Sequence, residues 1–224
     1  MAGNRKHHRR RKKRAVRLNW KLIFPIALAV ILGLTLMHCS GVFGRRASDG
    51  GVSGGSVSDD GRPAIDVQLL TPNKYSRPQT ALKKVKGIVI HYTANPGATA
   101  QQNRDYFEGL ADSHETHASS HFIVGLDGEI IQCIPSSEIS YASNNRNSDT
   151  LSIECCHPDE TGKFNQKTYD SAVELTAWLC RHFNVSPDQV IRHYDITGKD
   201  CPKYFVEHED AWKQFLDDVR AKVG

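Results

Sequence analysis

The second half of the chain alternates short apolar runs with longer stretches in which apolar residues recur at helical spacing. The run VKGIVIHYT, at 85–93, predicts a buried strand whose end presents His91. Soon after it, Tyr106, Phe107 and Leu110 recur on one face of a predicted helix. This part of the chain is therefore expected to form a strand followed by a helix.

A hairpin is predicted at 120–135, where two apolar runs are joined through Asp127 and Gly128, a pair that accepts positive φ in a tight turn. The segment TLSIECC alternates its faces and predicts another strand. Two helices are predicted at 166–183 and 208–223, with the short strand VIRH between them. Strands that alternate with helices favour an α/β fold, with a mixed central β-sheet flanked by helices.

The N-terminal part has a different pattern. Ten Lys and Arg and no acidic residue occupy 1–21, and the following segment, 22–43, carries no charge. A helix of that length spans roughly 30 Å, the thickness of the hydrocarbon core of a membrane. The pattern predicts a single-pass signal anchor in the cell membrane, with the basic tail in the cytoplasm and the remaining chain outside. A cleaved signal peptide and lipid attachment at Cys39 are the alternatives.

The charge of the chain changes after the predicted anchor. Twelve of the 29 Lys and Arg precede residue 47 but none of the 25 Asp and Glu do, so the remainder has 17 basic and 25 acidic residues, near −8. An acidic domain is not expected to bind nucleic-acid phosphates. Residues 44–63 are rich in Ser, Gly and Asp and predict a flexible linker. One folded domain, active as a monomer, is expected at 64–224.

Six cysteines are spread along the chain, one of them in the predicted anchor and one, Cys201, in the candidate metal site described below. The other four are too few for a disulfide framework in a domain of this size, and small buried thiols are the favoured interpretation. One disulfide is left open among these four, which are Cys133, Cys155, Cys156 and Cys180.

Two histidines and a cysteine form a candidate metal site. His91 ends a predicted strand, and His193 lies eight residues before Cys201 in IRHYDITGKDCP. Zinc binds neutral imidazole and thiolate, and a catalytic site keeps three protein ligands and an open position for water. Either histidine alone fits a structural or surface residue as well, so the prediction depends on their combination.

An acidic and a basic residue accompany these ligands. Glu154 lies inside an apolar strand, where a carboxylate is costly unless it faces a cleft or a partner. Lys199 lies between His193 and Cys201. With zinc, Glu154 would act as general base toward water and Lys199 would stabilise an oxyanion, which predicts amide or ester hydrolysis. The alternative for Glu154 is a salt bridge at the rim of the sheet.

Two other classes of zinc enzyme are disfavoured by their motifs. In HETHASSH, His117 and His121 are four apart, but Ala118 stands where an HExxH protease needs Glu. The sequence also contains no PCxxC pair of the kind found in zinc deaminases. Solvated loop histidines are therefore the favoured interpretation of His114 and His117.

Four ordered motifs carry a resemblance to a known family. VIHYT, SHFIVGLDG, LSIECCHPDETGKF and VIRHYDITGKDCP resemble the zinc-dependent N-acetylmuramoyl-L-alanine amidases of the type-2 family, relatives of phage lysozyme-type amidases and peptidoglycan recognition proteins. The resemblance covers about residues 65–220. It implies a Zn²⁺ cofactor and a peptidoglycan substrate, cut at the amide between N-acetylmuramic acid and L-alanine. It also implies that the zinc ligands are His91, His193 and Cys201. The catalytic residues that it implies are Glu154 and Lys199.

The sequence departs from part of that family at Ser120, where the phage lysozyme-type and recognition-protein branches carry a catalytic tyrosine. A serine cannot replace a phenol as an acid-base group, which strengthens the case for Glu154 as the base. The predicted substrate-binding residues are His121, beside Ser120, and Tyr141 and Asn144 in a polar loop.

Two non-enzymatic functions stay open at this point. The first is a module of the same fold that binds muropeptide without cutting it, which the resemblance links to relatives that lack a zinc ligand. The presence of every candidate ligand favours the enzyme. The second is a scaffold with a purely structural metal, which needs a fourth protein ligand, and Cys156 and His157 are the candidates near Glu154.

Overall fold

A computed structural model of the chain describes residues 61–224, and a six-stranded sheet lies at the centre of this part. The strands are β1 Asp66–Val67, β2 Gly87–Tyr92, β3 Phe122–Val124, β4 Ile130–Gln132, β5 Thr150–Cys155 and β6 Val190–Arg192. Their order in the sheet is β1-β4-β3-β5-β2-β6. Strands β3 and β4 pair antiparallel, and the other four pairings are parallel. The predicted mixed sheet is therefore confirmed.

Five α-helices accompany this sheet in the described part of the chain. The two predicted long helices are present, and the second starts one residue later than expected. Asn165 caps the first of them by accepting a hydrogen bond from the backbone N–H of Thr168. Two of the five are too short to show an apolar period in the sequence. The helices are α1 Ala100–Ser113, α2 Gln166–Phe183, α3 Tyr194–Thr197, α4 Lys203–Glu207 and α5 Glu209–Val223.

The two faces of the sheet pack against different helices. The face toward α2 and α5 carries Ile88 and Ile90 of β2, with Leu151 and Ile153 of β5. The opposite face packs against α1 through residues such as Ile123 and Ile131. Side chains alternate along a strand, so His91 of β2 and Glu154 of β5 point to the α1 side. The candidate site therefore lies on that face.

The predicted hairpin connects β3 and β4. Gly128 has a φ of +84°, and its N–H donates to the carbonyl of Gly125 at 3.1 Å. A Cβ atom at Gly128 would lie 2.9 Å from Ser171 Oγ of α2. Glycine thus allows both the turn and the close approach of α2.

The cysteines of the described region are free thiols with buried side chains. This agrees with the favoured interpretation of the sequence, and the disulfide left open there is not formed. The four thiols outside the candidate metal site are Cys133, Cys155, Cys156 and Cys180.

The predicted tail and anchor, 1–21 and 22–43, lie outside the described residues, as does nearly all of the predicted linker. Among residues 61–224, no helix combines the length and the apolar character needed to cross a membrane. The anchor therefore stays a prediction from the sequence.

The contact between α2 and α5 is expected to contribute strongly to stability. Phe215 is fully buried, stacks on Trp212 and meets Tyr169 edge to face. Truncating a buried Phe leaves a cavity, so we expect Phe215→Ala to lower the free energy of unfolding by about 3–5 kcal/mol in urea titrations. The exposed Tyr106 is the control, and Tyr106→Ala should change it by less than about 0.5 kcal/mol. Equal losses in the two variants would contradict this assignment.

Candidate metal and catalytic site

His91 occupies the next-to-last position of β2, between two parallel neighbours. It pairs with Glu154 across the β2–β5 ladder, and only 2% of its surface is exposed. Its position is fixed by backbone hydrogen bonds on both sides, since β2 also pairs with β6. The strand therefore holds the imidazole rigidly on the α1 side of the sheet.

His193 follows β6 directly and starts α3. Its backbone N–H donates to the carbonyl of Ile90 at 3.3 Å, which continues the β2–β6 ladder by one residue. Next to it, the buried guanidinium of Arg192 pairs with Asp195 at 2.9 Å and with Glu209 at 2.6 Å. These two ion pairs link the turn after β6 to the start of α5, so the backbone that carries His193 is anchored.

Cys201 reaches the histidines because the chain folds back after α3. The backbone N–H of Tyr194 donates to the carbonyl of Cys201 at 2.9 Å, which closes this loop. The sulfur then lies 3.7 Å from Nδ1 of His91. Lys199, inside the loop, is exposed and faces the same pocket.

The three side chains form a buried cluster in which the candidate ligand atoms all lie within 4.8 Å of one another. Bonds of about 2.0 Å to nitrogen and 2.3 Å to sulfur at a tetrahedral angle separate the two ligand atoms by about 3.5 Å. The observed 3.7 Å between Cys201 Sγ and His91 Nδ1 fits that requirement. In the described part of the chain the cluster includes neither Cys156 nor His157. The donor set therefore fits a three-ligand zinc site.

Burial sets the charge states of these ligands. It holds the pKa of His91 well below its ordinary value, with the charges of His193 and Lys199 acting in the same direction. The pKa of His193 is also lowered, first by burial and then by Lys199. Both imidazoles are therefore neutral near pH 7, as a metal requires. Burial raises the pKa of the Cys201 thiol to about 12, so its thiolate needs a bound cation.

Glu154 stands beside the cluster on β5. Burial raises the pKa of its carboxyl to about 8, against an opposing effect of the Lys199 charge. Its Oε2 atom is buried without a hydrogen-bond partner, and no ion pair of residues 61–224 includes this side chain. The salt-bridge alternative from the sequence is therefore excluded. A carboxyl with this environment is typical of functional sites.

A pocket of about 190 Å³ opens over these groups. Tyr141 and Thr93 contribute to its wall, and the Thr93 hydroxyl is a second buried oxygen that lacks a partner in the described structure. Unpaired buried oxygens in a polar cavity favour a bound polar molecule. The lining also includes all three cluster residues, together with Glu154 and Lys199.

His121 lies elsewhere, contrary to its predicted place in the substrate groove. It is fully buried, its Nδ1 accepts from the N–H of Ser152 at 3.0 Å, and its Nε2 donates to the carbonyl of Glu138 at 2.9 Å. Both ring nitrogens are thus used inside the protein. Ser120 is also fully buried, and its hydroxyl donates to the Phe122 carbonyl. Neither residue lines the pocket.

The buried position of His121 predicts a pH dependence of stability. Burial lowers the pKa of this imidazole to about 4, from 6.5. The unfolded chain therefore binds a proton between those values when the folded chain does not, so stability is lost as the pH falls from 6.5 toward 4. In urea titrations, the free energy of unfolding should fall between pH 7 and pH 5 for both proteins. We expect the fall to be about 2 kcal/mol smaller for His121→Gln than for the wild type. Identical losses would contradict this assignment.

Asn144 was predicted to bind substrate, but its side chain contacts a member of the cluster instead. Its Oδ1 atom lies 2.9 Å from Nε2 of His193, and it does not line the pocket. The preceding residue, Ser143, places its Oγ 3.2 Å from Nε2 of His91. Ser143 was not predicted from the sequence, since a serine in a loop rich in Ser and Asn carries no distinguishing signal.

The fold and the cluster together define an α/β protein with a candidate two-histidine, one-cysteine metal site beside a buried carboxylate. A family model described as N-acetylmuramoyl-L-alanine amidase matches residues 81–204, more than half of the chain. The chain therefore belongs to the N-acetylmuramoyl-L-alanine amidase family.

Several named proteins are similar to this chain. It is 35% identical to a probable N-acetylmuramoyl-L-alanine amidase of Bacillus licheniformis, with 68% of this chain and 46% of that protein covered. It is 36% identical to the N-acetylmuramoyl-L-alanine amidase CwlL of the same species, covering 68% and 45%. The chain thus spans about half the length of these relatives.

Two solved structures are also similar to this chain in fold. The structure of PlyL superposes with a TM-score of 0.59 at 27% identity, covering 70% of this chain and 96% of that chain. The catalytic domain of XlyA superposes with a TM-score of 0.58 at 26% identity, covering 72% and 99%. The described fold therefore corresponds to nearly the whole of each of these structures.

Proposed function

We propose that this protein hydrolyses the amide that joins N-acetylmuramic acid to the L-alanine of the peptidoglycan stem peptide. The observation that carries the proposal is the buried cluster of His91, His193 and Cys201, with Glu154 beside it in one pocket. Membership in the amidase family supports the bond that is cut. The names of the Bacillus relatives support the same activity.

Zinc is the proposed cofactor, held by the two neutral imidazoles and the thiolate. When bound, it supplies a Lewis acid that makes water acidic near neutral pH and polarises a carbonyl. The donor set and the observed 3.7 Å between Cys201 Sγ and His91 Nδ1 support this metal. Three protein ligands leave one position of a tetrahedral site open, as catalysis requires and a structural site does not.

Glu154 is the proposed general base. Its carboxyl faces the pocket with one oxygen unpaired, and in its ionised form, which the charge of a bound zinc would favour over the neutral acid, it would accept a proton from the attacking water. The water oxygen then bonds to the lactyl carbonyl carbon. As the carbon–nitrogen bond breaks, the same carboxyl returns the proton to the departing nitrogen. A lactyl carboxylate and a free L-alanine amine are the products.

Lys199 is proposed to stabilise the negative charge that develops on the carbonyl oxygen. Its ammonium group faces the pocket, and its charge lowers the pKa values of both His193 and Glu154, which supports a position close to the reacting atoms. Tyr141 in the pocket wall is proposed to contact the sugar or the peptide.

The competing function is a module that binds muropeptide without cutting it. The two are separated by incubating the zinc-loaded full chain with insoluble peptidoglycan, measuring both sedimentation of the protein with the wall and release of soluble stem peptides. Release that stops on chelation supports the enzyme. Sedimentation without release, at one bound zinc per chain, would establish the binding module.

We also propose the cellular arrangement indicated by the sequence: a cytoplasmic tail at 1–21, a membrane anchor at 22–43, a linker at 44–63 and an external catalytic domain. The charge pattern of the N-terminal segment supports it. Protease treatment of intact cells should remove the domain but leave the tail protected. Recovery of the chain in the soluble fraction, or protection of the domain, would contradict this arrangement.

A further inference from the structure

The polar loop that follows Glu138 contacts both histidines of the cluster at their Nε2 atoms. Ser143 Oγ lies 3.2 Å from Nε2 of His91, and Asn144 Oδ1 lies 2.9 Å from Nε2 of His193. Two consecutive residues thus reach both candidate ligands. We propose that Ser143 and Asn144 are positioning residues that present the Nδ1 atoms of both histidines to the metal.

The contact at His193 determines which nitrogen carries the proton. A side-chain amide oxygen has no hydrogen to donate, so Nε2 of a neutral His193 must donate to Asn144 Oδ1. The lone pair of this ring is then on Nδ1, and only that atom is able to bind a metal. Asn144 therefore selects the tautomer of His193 before any metal arrives.

In His91 the proton is also assigned to Nε2, here from the contact that the other ring nitrogen makes. Its Nδ1 atom faces Cys201 Sγ at 3.7 Å, which leaves Nε2 to donate to the Ser143 hydroxyl. Such outer hydrogen bonds fix the orientation of a metal-binding imidazole and increase its basicity. The two contacts thus give both ligands the same coordination mode.

The loop is built to keep these two residues in place. The side-chain oxygen of Asn147 accepts hydrogen bonds from the backbone N–H groups of Ala142, at 3.1 Å, and Ser143, at 2.6 Å. Asn144 has a φ of +52°, a left-handed conformation that Asn tolerates better than most residues. Tyr141 of this loop lines the pocket but Ser143 and Asn144 do not, so these two residues contact the histidines rather than the pocket.

Two measurements on the full chain test this inference, which rests on the proposed metal site but not on hydrolysis. The first is the tautomer of His193 in the metal-free wild type, read from long-range ¹H–¹⁵N correlations of the imidazoles. The proton is expected on Nε2. A proton on Nδ1 would overturn the proposal without any variant being made.

The second measurement is the zinc Kd, by competition with a chromophoric chelator. Asn144→Gly removes the amide but tolerates the positive φ, and Ser143→Ala removes the hydroxyl; each should raise Kd by about 10- to 100-fold. Asn144→Asp keeps the accepting oxygen and should stay within a few-fold of the wild type. The matched control is Asn145→Gly, in the same turn, with an unchanged Kd.

The outcomes separate this inference from the proposed function. If the wild type binds zinc tightly and both Asn144→Gly and Ser143→Ala bind it equally well, the positioning role is wrong and the metal site stands. If the wild type itself binds no zinc, the proposed function fails first. Weakened binding in Asn145→Gly as well would mean that the loop acts only through its fold, which overturns the specific role of Asn144.

Discussion

Replacing Glu154 by glutamine is expected to lower kcat by about 10²- to 10⁴-fold, the usual contribution of a positioned general base. Gln has nearly the same shape as Glu but cannot accept the proton of the attacking water. The change should leave KM nearly unaltered, because a base acts in the transition state and contributes little to binding the substrate. The measurement is the initial rate of stem-peptide release from peptidoglycan at several substrate concentrations.

The control for this experiment is Glu160→Gln, which removes an exposed carboxylate on the loop after β5 and should leave the rate unchanged. Zinc content must also be measured, since Glu154 lies next to the cluster but is not one of its three members. A Glu154→Gln variant with full zinc content and more than a tenth of the wild-type kcat would show that another group is the base.

Replacing Cys201 by alanine is expected to abolish activity through loss of the metal. The apparent binding free energy of a four-ligand structural zinc site is about 10–16 kcal/mol, or about 2.5–4 kcal/mol per ligand, so removing one ligand should raise Kd by about 10²- to 10³-fold. Zinc at 100 times the wild-type Kd stabilises the folded wild type by about 2.7 kcal/mol. In a domain of this size that raises Tm by about 5–10 °C. Cys201→Ala should show almost none of this increase.

The matched control is Cys180→Ala, which removes a buried thiol from α2, in the core on the opposite face of the sheet. This variant is expected to be less stable than the wild type but to keep the same rise of Tm on adding zinc. If Cys201→Ala shows the wild-type increase, Cys201 does not bind the metal.

The sequence predicted the parts of this fold whose signals are local. Helix α2 was predicted with its N-cap, because a long apolar period and the capping Asn165 agree. The hairpin was predicted because Asp127 and Gly128 favour one kind of turn. Helices α3 and α4 were missed, since four or five residues do not establish a helical period.

The site was predictable where the residue type restricts the chemistry. Few positions in a chain offer an imidazole or a thiol at the end of an apolar strand, and the structure brings His91, His193 and Cys201 together. What covers a side chain depends on the path of distant loops, and strand alternation does not reveal it. This is why His121 was expected in the groove although it bonds to Ser152 and Glu138 inside the protein.

The role of the loop before β5 was beyond sequence reasoning for the same reason. Asn144 and His193 are 49 positions apart, and their contact depends on how the loop crosses the sheet. The polar composition of this loop predicted that it lies over the cleft. Loops that bind substrate and loops that support a metal site share that composition. Only the position of Oδ1 against Nε2 distinguishes the two.

Mass spectrometry of peptidoglycan digested in H₂¹⁸O shows whether one water molecule is added across the lactyl–alanine amide. We expect glycans in which the new lactyl carboxylate carries one ¹⁸O, and stem peptides that begin with a free, unlabelled L-alanine. Both products should disappear with Glu154→Gln. Digestion that leaves this amide intact, with cuts in the glycan or in the peptide cross-links, would show that the protein is not an amidase of this bond.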